Sequence, residues 1–236
     1  GPYPGRQLFI GVTTDGRPSL AYLVTGRSPE SRERRAIPIE NSLRMGPIGS
    51  YPYDPLRHYR AVAYDNNTGI AVVSNGIQTE AIFETYKLLL NTESLPTGDY
   101  MATLLDGADA EPDRYHTPRI AGAITSYGNE GKPVYIIGTK RHGIPANVFQ
   151  VNPEPGTMLG ISTYKGELAN PEPFDPGYGL PKLEFTGGTP EELAKYLFDL
   201  SSASYQGDDI RVCAIGGIRS DDNLTWALTL INVHTT

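Results

Sequence analysis

The sequence predicts an α+β domain in which antiparallel β-sheets are covered by α-helices. The predicted elements run strands, helices, strands, helix, strands, and neighbouring strands are repeatedly joined by tight-turn sequences. The chain of 236 residues is long enough to bury a large core, and no change in composition marks a boundary. We therefore expect a single domain over residues 1–236.

The first third of the chain has the pattern of strands. Residues 7–14 and 19–27 are joined by Asp-Gly-Arg-Pro, a turn sequence, which predicts a hairpin. A short apolar strand is predicted at 36–40. The stretch at 46–55 is rich in Pro, Gly and Tyr and is predicted to be irregular.

A second hairpin is predicted from 58–66 and 69–76, which flank an Asn-Thr-Gly turn. Strict alternation in its first strand places alternate residues on opposite faces. One face then holds Tyr59, Ala61 and Ala63, and the other holds Arg60, Val62 and Tyr64.

Two helices are predicted next, at 79–91 and 98–108. The first carries an apolar stripe at helical spacing, made of Ile82, Tyr86, Leu89 and Leu90. A third helix is predicted at 189–203. There Thr189 can cap the helix, Pro190 suits its first turn and Glu192 completes a capping box.

The second half of the chain returns to strands. They are predicted at 117–126, 133–141, 146–152, 157–166, 211–219 and 224–233, with turns at 128–132 and 220–223. Between the fourth of these strands and the third helix lies an irregular Pro/Gly-rich excursion near residues 166–182.

Arginine is concentrated near the start of an acidic chain. The net charge is −7, yet residues 1–60 hold nine Arg, no Lys and five acids, a net charge of +4. Four of these arginines fall within nine residues: Arg27, Arg32, Arg34 and Arg35. A guanidinium grips phosphate or carboxylate with two parallel hydrogen bonds, so a small anionic ligand is predicted. The alternative is a solvated loop neutralised by Glu30 and Glu33.

Other classes of function are disfavoured by missing patterns. The acidic balance argues against general nucleic-acid binding, and no apolar run is long enough for a membrane helix. No dinucleotide, P-loop or nucleophile-elbow motif occurs. The four histidines lack ligand spacing, so no metal is expected, and Cys213 lies in an apolar strand where an inert thiol is predicted. One cysteine also suits a cytoplasmic protein.

Three segments resemble a known family. They are Gly-Arg-Ser-Pro-Glu-Ser-Arg (26–32), Val-Val-Ser-Asn-Gly-Ile-Gln-Thr-Glu (72–80) and Tyr-His-Thr-Pro-Arg-Ile-Ala-Gly-Ala-Ile (115–124), followed by Ile-Ser-Thr-Tyr (161–164). In this order they are similar to the archaeal-type IMP cyclohydrolase family. The similarity runs from about residue 6 to residue 203, and the extra length of this chain lies in the 128–182 region.

The resemblance implies a four-layer αββα sandwich like that of N-terminal-nucleophile hydrolases. That fold normally exposes Thr, Ser or Cys at residue 1 after self-cleavage. Here the chain opens Gly-Pro-Tyr, so the fold is expected without self-processing. Fold alone would therefore mislead about function.

The resemblance also implies a reaction, the last step of purine synthesis. The carboxamide nitrogen of 5-formamidoimidazole-4-carboxamide ribonucleotide (FAICAR) attacks the neighbouring formyl carbon, and water departs to leave IMP. Both reacting groups belong to one molecule, so no covalent intermediate, metal or cofactor is required. The implied partner is thus a purine ribonucleotide.

The family pattern assigns four principal residues. Arg27 and Arg32 match its arginines and are predicted to face the 5′-phosphate or the polarised carboxamide, with Arg32 counted among the catalytic residues. Tyr59 is predicted to donate to the formyl oxygen and to protonate the leaving hydroxyl. Glu111, seven residues before Pro118, is the candidate base. The bland alternatives are surface arginines, a structural tyrosine and a solvated loop carboxylate, with Asp109 and Asp113 as competing acids.

Four further residues are predicted to bind substrate: Asn75, Gly76, Gln78 and Arg119. The amide of Asn75 suits the carboxamide or ribose, and Gly76 admits close backbone approach. Arg119 suits either phosphate or an ion pair with Glu111 or Glu80. Archaeal members read Ser-Asn-Gly-Ser-His-Thr-Asp, so Gln78 replaces a histidine and loses its proton-shuttle capacity. His58 and His116 are the candidates to restore it.

Two other hypotheses remain open from the sequence. One is a nucleotide-binding regulator that keeps the pocket without turnover. The other is a self-processing amide hydrolase, which predicts a new N-terminus beginning with Ser, Thr or Cys. The oligomeric state is also open, and several aromatics would allow a homo-oligomer.

Overall fold

The computed structural model describes residues 3–127, 132–220 and 224–234. The expected lack of self-processing depends on residue 1, which is not among these residues. Most of the predicted turn at 128–132 and most of that at 220–223 also lie outside them.

Two large β-sheets form the centre of the molecule. The first has six strands, in the spatial order β13 (Lys182–Glu184), β10 (Thr157–Ser162), β1 (Arg6–Val12), β2 (Pro18–Thr25), β16 (Arg211–Arg219) and β17 (Trp226–Asn232). The second has seven strands, β3 (Arg34–Ile39), β4 (Ser42–Pro47), β5 (Arg60–Tyr64), β6 (Ala71–Ser74), β7 (Arg119–Ser126), β8 (Pro133–Lys140) and β9 (Asn147–Val151). Every pairing between neighbours in both sheets is antiparallel.

Apolar side chains join the two sheets and attach the helices to them. One buried cluster contains residues of both sheets, such as Leu8, Tyr22, Val73 and Ile120. A second lies between the seven-stranded sheet and two helices, α2 (Gln78–Asn91) and α3 (Gly98–Ala108). A third lies between the six-stranded sheet and α4 (Pro190–Leu200). The predicted α+β class with antiparallel sheets is therefore confirmed.

The three predicted long helices and both predicted hairpins are present, and the predicted last two strands pair antiparallel as β16 and β17. The capping box of α4 forms as expected, with Thr189 and Glu192 each bonding the other's backbone amide. This helix ends at Leu200, three residues before its predicted end. In α2 the predicted stripe is buried at Ile82, Tyr86 and Leu89, whereas Leu90 is only half-buried.

Two short elements near the arginine-rich segment were not predicted. β4 lies between the predicted strand at 36–40 and the predicted irregular stretch at 46–55, which it overlaps only at Gly46 and Pro47; its buried apolar residues are Leu43 and Met45. A single-turn helix, α1 (Pro29–Arg32), begins at Ser28, whose side chain accepts from the amide of Ser31. The helix lies between β2 and β3 and turns the chain from one sheet to the other.

The predicted alternation in β5 is wrong. Ala61 and Val62 both belong to the core between the sheets, whereas Ala63 belongs to the core under the helices. Arg60 pairs with Glu80 of α2 at 3.8 Å and so lies on the helix side. The cause is a register shift opposite Leu43, which places consecutive residues on one face.

The excursion at 166–182 is irregular, as predicted, apart from small elements. It includes β12 (Glu172–Pro173), paired with β11 (Tyr164–Lys165), and a 3₁₀ turn at Pro176–Tyr178. The remaining two-stranded pair is β14 (Ser204–Tyr205) with β15 (Asp208–Asp209). Among the described residues, no helix has the length and apolar character that crossing a membrane requires.

Candidate active site

A cavity of about 680 Å³ opens where the ends of β1, β2 and β11 approach α1 and the 111–117 loop. Its volume is in the range that small-molecule sites usually have. The walls carry five arginines, Arg6, Arg27, Arg34, Arg57 and Arg114, and three acids, Asp54, Glu111 and Asp113. The cavity therefore concentrates positive charge in an acidic protein.

Arg27 lies on the cavity wall just after β2. Its guanidinium carbon is 5.1 Å from the ring centres of both Tyr3 and Tyr115. Its Nη1 donates to the carbonyl of Leu168 at 2.7 Å. Within the described part of the chain, no carboxylate lies in ion-pair distance of Arg27. The two rings hold a guanidinium whose charge is not neutralised.

Glu111 also lies on the wall, and Arg6 grips it with two hydrogen bonds. Nη1 of Arg6 is 2.8 Å from Oε1, and Nη2 is 3.0 Å from Oε2. The two residues are only 8% and 3% exposed. Burial opposes the charge on Arg6, but the Glu111 carboxylate and the phenols of Tyr59 and Tyr22 outweigh it, so the pKa of Arg6 is raised well above its usual value. The pair is a fixed, buried ion pair.

Arg119 lies behind Glu111, outside the cavity wall. Its Nη1 is 3.6 Å from Oε1 of Glu111, and its Nε donates to the carbonyl of Asp109 at 3.1 Å. Burial lowers the pKa of Arg119; the Glu111 carboxylate opposes this effect, and the nearby charge of Arg6 adds to it. Of the two uses predicted for Arg119, the structure thus shows an ion pair with Glu111, and Glu80 pairs with Arg60 instead.

Asn75, Gly76 and Gln78 lie next to Arg119, also behind the wall. The Asn75 side chain is fully buried, donates to the carbonyl of Pro118 and accepts from the amide of Ile120, both at 2.9 Å. Nε2 of Gln78 donates to Oδ1 of Asn75 at 2.9 Å. Oε1 of Gln78 and Nη1 of Arg119 have no hydrogen-bond partner among the described residues.

Tyr59 lies in the core between the sheets and is 3% exposed. Its hydroxyl is 2.5 Å from that of Tyr22, and it does not contribute to the cavity wall. Burial, followed by the neighbouring Tyr59, raises the pKa of Tyr22 well above its usual value. Both phenols lie close enough to Arg6 to influence its charge.

Arg32, the last residue of α1, lies behind Arg27. Its Nη1 donates to the backbone carbonyl of Arg27 at 2.7 Å, and its Nη2 pairs with Asp208 at 2.7 Å. The structure therefore brings Arg27 and Glu111 to one cavity. The other predicted residues form a supporting layer behind these two.

The histidines considered as proton shuttles lie elsewhere. Nδ1 of His58 accepts from the amide of Asp54 at 2.8 Å. Burial, followed by the charge of Arg34, lowers the pKa of His58. His116 stacks on His142 with ring centres 3.9 Å apart, at a separate surface depression. In the described residues, no group of three or more potential metal ligands comes together.

Comparison with known proteins places this chain in a family. A family model described as "IMP cyclohydrolase-like protein" matches residues 3–223. The chain belongs to this family. An IMP cyclohydrolase of Methanocaldococcus jannaschii is 34% identical over 221 residues, which cover 93% of this chain and 95% of that protein. One of Natronomonas pharaonis is 32% identical over 226 residues, covering 94% and 95%. The resemblance inferred from the sequence is thereby confirmed.

Two buried residues were not selected from the sequence: Arg6 in the cavity wall and Tyr22 behind it. Arg6 opens a strand that is otherwise apolar around Leu8 and Ile10, and a charge at that position was a usable signal. Tyr22 gave no signal, because a tyrosine within a buried strand is ordinary. Its proximity to Tyr59 arises from the packing of one sheet on the other.

Proposed function

We propose that the cavity binds FAICAR and closes it to IMP with loss of water. Family membership supports this activity, and one structural observation carries it to this cavity. Three wall guanidiniums, those of Arg27, Arg34 and Arg114, have no carboxylate partner among the described residues. They adjoin a buried carboxylate, Glu111, and so offer separate places for a phosphate and for an amide.

The chemistry that this cavity has to supply is modest. The carboxamide nitrogen forms a bond to the formyl carbon and loses one proton, and the formamido nitrogen loses another as its double bond to that carbon forms. The formyl oxygen gains both protons and leaves as water. Holding the two groups in the reactive orientation contributes several kcal/mol. Donors aimed at the oxygen as it gains charge add about 2–4 kcal/mol each.

The wall arginines are proposed to hold the 5′-phosphate. Arg27 is kept in place by two aromatic rings, so it loses little conformational freedom when it binds. Arg32 is proposed to act through Arg27, because it binds the Arg27 carbonyl and is saturated by Asp208. The alternative of a solvated arginine loop explains the exposed Arg32–Asp208 pair but not the stacking of Arg27.

Glu111 is proposed to accept the proton of the carboxamide N–H. A carboxylate offers about four lone-pair sites, and Arg6 occupies two of them, so an amide can still approach from the cavity. Asn75, Gly76, Gln78 and Arg119 are proposed to act on the substrate through Glu111. Tyr59 is proposed to donate its proton from behind the cavity wall, where its hydroxyl bonds that of Tyr22.

We further propose that the chain is one domain with the four-layer αββα arrangement of N-terminal-nucleophile hydrolases. The placement of α2 and α3 on one sheet and α4 on the other supports it. A cytoplasmic location and the absence of nucleic-acid binding follow from the single cysteine and the acidic balance. Exposed Tyr51, Tyr53 and Tyr178 would serve a homo-oligomer.

Arg27→Ala tests the phosphate assignment. Binding of IMP should weaken about 10- to 100-fold, whereas binding of inosine, which lacks the phosphate, should change by less than about threefold. Isothermal titration calorimetry measures both affinities. Arg44→Ala is the control, because its side chain is exposed on β4 and does not line the cavity. Equal losses for IMP and inosine would remove Arg27 from the phosphate.

A regulator that binds nucleotide without turnover is the second candidate. One observation favours it: both oxygens of Glu111 are already held by Arg6, as in a structural ion pair. Purified protein that binds IMP yet leaves FAICAR unchanged in ultraviolet absorbance would establish the regulator.

Intact mass tests the amide hydrolase, which predicts loss of the N-terminal segment.

A further inference from the structure

Arg6 is a buried guanidinium in the cavity wall that the sequence analysis did not select. It places Nη1 and Nη2 at 2.8 and 3.0 Å from the two oxygens of Glu111. Such a paired contact fixes the plane of the carboxylate as well as its position, because the guanidinium itself is planar. The direction in which Glu111 presents its free lone pairs is thus set by Arg6.

Arg6 is itself held by its surroundings. Its Nη1 also donates to the carbonyl of Asn75 at 3.2 Å, and its backbone amide donates to Oγ1 of Thr163 at 3.2 Å. Its Cα pairs in register with Val24 of β2. A residue on a paired strand holds a partner more exactly than a loop residue can.

The other cation near Glu111 does not do the same work. Arg119 approaches Oε1 only to 3.6 Å, and its Nη1 makes no hydrogen bond with any described residue. Arg119 therefore contributes positive charge near Glu111 but does not fix the orientation of the carboxylate. A carboxylate that is 3% exposed has little contact with water, and Arg6 supplies the hydrogen-bonded cation that compensates for this.

We propose that Arg6 is a positioning residue for the ring closure, acting through Glu111. It holds the carboxylate turned so that its free lone pairs meet the carboxamide N–H. This inference deepens the proposed function and rests on it. Direct phosphate binding suits Arg6 less well than Arg27, because the donors of Arg6 are already used by Glu111 and Asn75.

A double-mutant cycle on kcat tests the proposal. Arg6→Lys keeps the positive charge and removes the paired geometry, so it should lower kcat about 10- to 100-fold while KM changes by less than about threefold. Glu111→Gln should lower kcat at least as much. In the double variant, Arg6→Lys should add no further loss, because its effect passes through Glu111.

Three results would overturn the inference. These are an Arg6→Lys protein with the wild-type kcat, one whose loss lies mainly in KM, and a double variant whose losses multiply. Arg17→Lys is the matched control, since Arg17 pairs with Asp15 at the far end of the same hairpin. It should leave both constants unchanged.

If circular dichroism shows that the Arg6→Lys protein does not fold, a double variant in which both residues are neutral is used instead. Arg6→Gln combined with Glu111→Gln leaves no buried charge unpaired between these two residues. Its kcat should equal that of Glu111→Gln alone, and any further loss overturns the proposal.

If the wild-type protein shows no turnover, the proposed function is contradicted, but the role of Arg6 is still undecided. Carbon-13 spectra of protein labelled at the glutamate carboxyl carbon then provide the readout. The resonance missing from Glu111→Gln identifies Glu111. It should move in Arg6→Lys and stay in place in Arg17→Lys. An unmoved Glu111 resonance in Arg6→Lys overturns the positioning role.

Discussion

At the scale of single residues, the site depends on how buried charges are shared. Two cations, Arg6 and Arg119, lie around the single carboxylate of Glu111, and all three side chains are nearly inaccessible to water. Removing one member of such a group typically costs about 3–5 kcal/mol, since a charge is left without compensation. This explains why the supporting layer behind the cavity contains so many fixed hydrogen bonds.

Gly76 is required by the close approach of Arg119. A Cβ at this position would lie 2.4 Å from Nη1 of Arg119 and 2.7 Å from Oε1 of Gln78. Gly76→Ala should therefore push Arg119 away from Glu111 and lower the free energy of unfolding by about 1–3 kcal/mol, together with kcat. Urea denaturation and steady-state kinetics measure the two effects.

Gly107→Ala is the matched control for Gly76→Ala. Gly107 is exposed in α3, and a Cβ there meets no atom within 4 Å. Alanine should stabilise the helix by about 0.5–1 kcal/mol and leave kcat unchanged. A Gly76→Ala protein that behaves like Gly107→Ala would show that Arg119 can move without consequence.

Cys213 should be unreactive in the folded protein. It is fully buried in β16, and burial raises the pKa of its thiol to about 12. The reactive thiolate is therefore absent at neutral pH. Ellman's reagent at pH about 8 should label Cys213 only after urea is added. The rate of labelling should then equal the rate of unfolding. Rapid labelling without denaturant would contradict the buried position.

At the scale of elements, the sequence predicted those whose signal is local. The α4 helix followed from Thr189 and Glu192, and the first two hairpins followed from their turns. β4 did not, because its apolar residues Leu43 and Met45 are buried in the core between the sheets. The α1 turn was missed because it is only four residues long, although Ser28 caps it locally. The shift in β5 was equally hidden, since it depends on the register of a neighbouring strand.

Thr189→Ala tests the contribution of the α4 cap. The hydroxyl accepts from the amide of Glu192 at 3.2 Å, and losing it should cost about 1 kcal/mol in the free energy of unfolding. Lys195→Ala on the exposed face of the same helix should cost about 0.5 kcal/mol or less. Similar values for the two variants in urea denaturation would show that the cap carries no special weight.

At the scale of the whole molecule, alkaline stability reports on the buried phenols. Burial raises the pKa of Tyr164 to about 12, and burial also raises the pKa of Tyr22. Unfolded tyrosines ionise near pH 10, so the folded state retains protons that the unfolded state loses. The contribution of these tyrosines to the free energy of unfolding is therefore fully present below about pH 10 and is lost as the pH rises toward 12.

Urea denaturation at about pH 9 and pH 11, with tyrosinate absorbance as the probe, tests this dependence. Tyr164→Phe should reduce the fall in the free energy of unfolding between the two values. Tyr178→Phe, which replaces an 88% exposed residue, should leave it unchanged. Equal stability at both pH values would contradict the burial of these hydroxyls.

The site was predictable to the extent that it lies in contiguous motifs. The segments around Arg27, Asn75 and Glu111 carried the family pattern. Which side chains reach the cavity depends on how the two sheets pack, and no local pattern encodes that. Sequence reasoning therefore placed Tyr59 and Arg32 with the reacting groups, whereas neither lines the cavity. The Tyr59 hydroxyl bonds Tyr22 between the sheets, and Arg32 bonds the backbone of Arg27.

Conversion of FAICAR to IMP by the purified protein tests the central claim most directly, followed by ultraviolet absorbance with Glu111→Gln alongside. We predict turnover by the wild-type protein without added metal or cofactor, and a loss of at least about 100-fold in the variant. Turnover that survives Glu111→Gln at the wild-type rate would contradict the assignment of this cavity as the active site.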